Sequence, residues 1–138
     1  MMRAAIWHAD GRVSDVVEAT DPAALDALVA AMGAAGWITT DLPTPWLTHR
    51  VDGAQLLLPR PVPPAPPALL AGQTAVWSGL GPGALVTITD PLTGIVAATG
   101  DVDNNGAITL SLPSGPWRID VGEAFPFRPA TFDVEVAP

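Results

Sequence analysis

Apolar residues recur along this chain with two different periods, and the switch between them marks out its elements. Leu25, Leu28, Val29 and Met32 fall at i, i+3, i+4 and i+7, one stripe of a helix with Asp26 on the other face. Thr20-Asp21-Pro22 places an oxygen-bearing cap before a proline at the first helical position, and Gly33 and Gly36 close the run. Short strands are predicted around this helix. Residues 3–8 and 12–18 join through the Asp10-Gly11 turn, residues 37–40 follow the helix, and residues 46–51 and 54–58 flank Asp52-Gly53. The order is ββαβββ: an α+β module over residues 1–58 with one helix on a small antiparallel sheet.

Beyond residue 70 the period is two throughout. Val86-Thr87-Ile88-Thr89, Ile108-Thr109-Leu110-Ser111-Leu112 and Phe132-Asp133-Val134-Glu135-Val136 alternate, as strands with one buried and one wetted face do. Six segments, at 74–78, 84–90, 95–100, 107–112, 117–121 and 131–136, are bounded by Gly, Pro, Asn or Asp. This spacing predicts an all-β sandwich over residues 70–138. Between the two patterns, residues 59–67 carry six prolines in nine positions. Such a run favours extended polyproline II, and residues 59–69 are expected to form a stiff linker. Each half is small enough to be marginal alone, so packing against partner chains is an expected source of stability.

Charge narrows the function classes. The chain has 138 residues with 14 acidic side chains against 6 basic ones, all Arg, for a formal charge of -8. A nucleic-acid interface needs a basic face, which this composition does not supply. Without cysteine there is no disulfide, thiolate metal site or cysteine nucleophile. No phosphate loop, dinucleotide fingerprint or nucleophile elbow occurs. Residues 28–37, the longest apolar run, are interrupted by two glycines and fall short of a membrane span. A soluble, non-enzymatic protein without cofactor is expected.

Two stretches resemble known families. Residues 84–90, 94–100, 106–113, 115–121 and 128–136 together resemble the immunoglobulin-like modules of bacterial and phage proteins. Residues 47–61, Leu-Thr-His-Arg-Val-Asp-Gly-Ala-Gln-Leu-Leu-Leu-Pro-Arg-Pro, resemble a hairpin of small tailed-phage and prophage proteins encoded near tail-fibre genes, with Arg50 where an aromatic is usual. The resemblance implies an immunoglobulin-like sandwich and a non-enzymatic structural role in a virion, at the tail tip or fibre attachment region. It also implies synthesis in the host cytoplasm and contact with other virion proteins in multiple copies. A tail-fibre assembly factor that leaves the particle and a capsid decoration protein are the alternatives. A host-surface glycan is a further ligand class, while neither nucleic acid nor membrane is expected as a partner.

Candidate sites are few. Asp101, Asp103 and Asn105 with Gly106 match the first half of a calcium loop, but Leu112 occupies the place of its closing glutamate, and a plain turn explains the same residues. His8 and His49 could meet if their strands paired, and Asp41 with Asp52 could pose as acid and base, without a feature that separates their pKa values. Five tryptophans, at 7, 37, 46, 77 and 117, exceed what two small cores easily bury. One helix covers one sheet face. If Leu56 and Leu58 point inward, Leu57 points out. Trp46 and Leu57 are therefore expected in a partner interface, with Phe125 and Phe127 in a sandwich-end loop as a second contact.

Overall fold

The computed structural model describes residues 1–138 as a mainly β chain of eleven strands and two helices. It divides into two compact units, Met1–Arg60 and Pro61–Pro138.

The first unit is built on a sheet of three antiparallel strands in the order β2-β1-β3, comprising β1 (Met2–Trp7), β2 (Val13–Ala19) and β3 (Gly36–Thr39). Helix α1 (Pro22–Met32) begins where the Asp21 carboxylate accepts the Ala24 N–H at 2.9 Å, and it ends at Gly33, with φ of 65°. It lies against β2 and β3, and the Trp37 indole N–H donates to Asp26 across the contact at 2.9 Å.

The other sheet face has a cover that the sequence reading did not foresee. Residues 46–51 do not form one strand. Pro45–Thr48 make a single helical turn, α2, because Pro45 presets the first position and the Thr48 hydroxyl reaches the Thr44 carbonyl. Trp46 is therefore helical. Strand β4 starts only at His49 (His49–Val51), and its partner β5 is Leu57–Pro59 because the Asp52 turn consumes residues up to Leu56. The pair is a separate two-stranded sheet, held by the Val51 N–H to the Gly11 carbonyl at 2.9 Å. The order is thus ββαβαββ, in place of the expected ββαβββ.

This hairpin packs on the face opposite α1. Ala5, Val13 and Val51 are buried together with half-buried Trp7, Val16, Ile38 and Leu57 against them. Ala4, Ala5 and Ile6 are all fully buried, as a central strand covered on both faces requires. Leu57 accordingly points into this cluster, and the outward expectation for it is corrected. Its neighbour Leu56, 55% exposed, is the leucine that faces solvent.

The second unit sets a four-stranded antiparallel sheet, ordered β11-β10-β7-β8, against a two-stranded one, β6-β9. The larger comprises β7 (Leu85–Thr89), β8 (Val96–Asp101), β10 (Gly115–Val121) and β11 (Ala130–Val136); the smaller comprises β6 (Ala75–Trp77) and β9 (Ile108–Leu110). Alternation sends Val86, Ile88, Ile119, Val121 and Val136 inward, where they meet Trp77, Leu80 and Leu110. Trp77 packs edge-on to Phe132 with ring centroids 5.5 Å apart.

The proline run belongs to this unit. Prolines lack an N–H but keep their carbonyl acceptors, and those are used here. The Trp77 indole donates to the Pro64 carbonyl at 3.1 Å, and the Arg128 N–H donates to that of Pro61 at 2.9 Å. Pro63 is buried, Leu69 enters the core, and Leu70 bridges to Ala137. The stiff, extended linker expected over residues 59–69 is not a separate element: from Pro61 onward the extended segment lies along the β unit.

Candidate interaction surface

Most acidic side chains that could have formed a site are occupied in shaping turns. The Asp52 carboxylate accepts the Ala54 and Leu56 N–H groups, each at 3.0 Å. Asp103 accepts those of Asn105 at 2.9 Å and Ala107 at 3.0 Å. The two loops are the same device. In each, the fourth residue donates back to the Asp carbonyl and has a positive φ: 60° at Gln55 and 76° at Gly106. Asp10 and Asp90 each accept an N–H two residues on, and Asp10 also pairs with Arg12 at 3.1 Å. The half calcium motif at Asp101, Asp103 and Asn105 is thus a turn whose central carboxylate is engaged by backbone. No three His, Asp or Glu side chains converge as a metal group. His8 bonds the Ser14 hydroxyl at 2.8 Å, while His49 bonds that of Thr48 at 2.7 Å. The Asp41 side chain is solvent-exposed.

The aromatic candidates separate. Trp46 is 40% exposed on α2 beside exposed Leu47. Phe125 and Phe127 are half-buried on either side of a cis Phe125-Pro126 bond, and the Phe127 ring lies close against Gly81. That ring is tucked back onto its own unit.

The region that sequence reasoning missed is the β7–β8 hairpin and its outer strand. The turn is firmly built: Gly94 N–H donates to the Asp90 carbonyl at 2.8 Å and Asp90 N–H to that of Ile95 at 2.9 Å. Asp90 and Thr93 side chains accept two further N–H groups from Leu92 and Ile95. Upon this rigid loop Leu92 is 83% exposed and Ile95 66%, with Val96 next to them also open to solvent. Strand β8 ends the four-stranded sheet, and Val96 to Thr99 are exposed on both faces. Residues 91–100 contain no charged side chain. Natural sheet edges are normally guarded by charge, proline or bulges. The other long outer strands carry two exposed acids each, Asp133 and Glu135 on β11 and Asp15 and Glu18 on β2, whereas β8 has one, Asp101, at its end. Strand β8 has a single bulge at Ala97, where Ile88 pairs with Ala98 and Thr89 with Val96. Beneath it a groove of about 250 Å³, with Ile88, Ile108 and Leu110 in its walls, opens past the small residues Ala98 and Gly100.

Compared with known protein families, with curated proteins and with solved structures, the chain matches none.

Proposed function

We propose that this chain is a non-enzymatic structural protein of a tailed-phage particle, located at the tail tip or fibre attachment region, that works by holding neighbouring proteins. Its second unit is read as an immunoglobulin-like sandwich, on the likeness of residues 84–136 to such modules. The observation that carries an interaction role is the open β8 edge, with Leu92, Ile95 and Val96 displayed on a hydrogen-bonded turn. Contiguous exposed apolar side chains on a rigid support characterise contact surfaces, and an open strand edge offers main-chain bonds to a partner. The placement in a virion rests on the resemblance of residues 47–61 to tail-region proteins.

Quantitative mass spectrometry of purified particles from the phage or prophage carrying the gene tests this reading. The chain should be present in fixed ratio to the tail proteins. Its absence from complete particles, with abundance in infected cells, would replace the structural role with that of an assembly factor.

A further inference from the structure

We infer that the β8 edge is a homotypic contact, where a second copy of this chain pairs its own β8 antiparallel about a two-fold axis through Thr99. The inference deepens the multi-copy structural reading above by naming the partner and the register.

The free hydrogen-bonding groups are identified by the ladder. Val102 donates to the Ala84 carbonyl at 2.9 Å and accepts from Gly83 N–H at 2.9 Å, so its main chain faces the β7 side. By alternation, the N–H and C=O groups of Thr99 and Asp101 face the open edge. An extended strand is the partner that satisfies such groups. Neutrality selects what kind of strand. At a charge of -8 with no lysine, two copies repel overall, and residues 91–100 bring an uncharged stretch to an open strand edge, where they meet without opposing carboxylates. Strands β2 and β11 each expose two acids, whereas β8 carries one, Asp101, at its last position. The uncharged part of β8, Val96 to Gly100, is complementary to itself.

Charge also selects the register. Outward-facing residues must meet outward-facing residues, so Thr99 can lie opposite Thr99 or Asp101 of the other copy, or Asp101 opposite Asp101. The last opposes two carboxylates directly, and the second leaves them diagonal neighbours. With Thr99 on the axis, the two Asp101 residues stand four positions apart, roughly 14 Å along the strands at about 3.4 Å per residue, beyond the ~8 Å screening length of physiological salt. Ala98 then faces Gly100 of the other copy, so no bulky pair obstructs the approach, and the two threonines form a favourable cross-strand pair.

The absence of cysteine permits a direct test on the full chain. Cross-strand neighbours lie within disulfide reach. Under mild oxidation Thr99→Cys should form a covalent dimer much faster than Ser114→Cys, an exposed position away from β8. A mixture of Ala97→Cys and Asp101→Cys chains should cross-link as the mixed dimer, faster than either variant alone. Sedimentation velocity of the unmodified protein should show a dimer that grows with concentration and with added salt, as screening reduces the repulsion. Thr99→Glu, which sets like charges on the axis, should abolish it. A sedimentation profile that stays monomeric throughout, or equal cross-linking at positions 99 and 114, overturns the inference. Preferential cross-linking of 99 with 101 would overturn the register. These readouts use isolated protein, so dimers of a chain absent from particles would leave the inference standing while the virion reading fails.

Discussion

Gly106 is the position where a single added methyl group should do most damage for its size. It closes the Asp103 turn with φ of 76°, and a Cβ built there would sit 2.6 Å from the Leu80 carbonyl oxygen, on rigid backbone. The Leu80 N–H also donates to the Gly106 carbonyl at 3.0 Å, so the two segments cannot separate without losing a bond. Gly83 is the internal reference: its φ is 81°, but nothing lies within 4 Å of an added Cβ. For Gly83→Ala, the left-handed conformation costs about 1–2 kcal/mol, offset by about 0.4–1 kcal/mol from the stiffer unfolded chain, a net loss of about 1 kcal/mol. Gly106→Ala adds overpacking of about 1–3 kcal/mol and a weakened hydrogen bond of about 1 kcal/mol. Its total should be about 3–5 kcal/mol. Equilibrium urea denaturation, followed by tryptophan fluorescence, measures both through the shift in midpoint at constant slope. Equal losses at the two positions would refute the close approach of the Asp103 turn to Leu80.

Gln55 is the one non-glycine residue with positive φ, so Gln55→Gly should stabilise the first unit by about 0.5–1 kcal/mol, read as a raised urea midpoint. Asp52→Ala and Asp103→Ala each remove an acceptor from two turn N–H groups and should cost a similar ~1–2 kcal/mol; unequal effects would contradict the shared loop geometry. Calcium should leave the melting temperature unchanged, since a ligand specific to the native state would raise it. Leu69→Ala in the full chain should cost about 2–5 kcal/mol, the range for a buried leucine; a negligible effect would mean that the segment after the prolines does not join the core.

Elements whose signals are local could be read directly from the order of residues. Asp21 and Gly33 bound α1 through their own hydrogen bond and backbone conformation, needing no distant partner. Period-two alternation placed the inward residues of β7 and β11, and Asp10-Gly11 marked its turn, whereas in the Asp52 turn the positive φ falls on Gln55 and not on the expected Gly53. What covers each face was decided by tertiary structure. Alternation says that Leu56 and Leu57 point oppositely, yet parity alone does not say which one meets a core. The Asp52 turn draws Leu56 into the loop, and the hairpin then folds onto Ala5 and Val13 with Val51 and Leu57 inward. The proline run likewise reads as a spacer because it cannot donate hydrogen bonds, but its carbonyls still accept, and Trp77 supplies a buried indole N–H that needs such an acceptor. The open edge of β8 is also invisible locally, since a strand's period reports its two faces and not whether a neighbour lies along its edge. Edge exposure depends on hydrogen bonds between residues far apart in the chain, and those exist only once the sheet order is set.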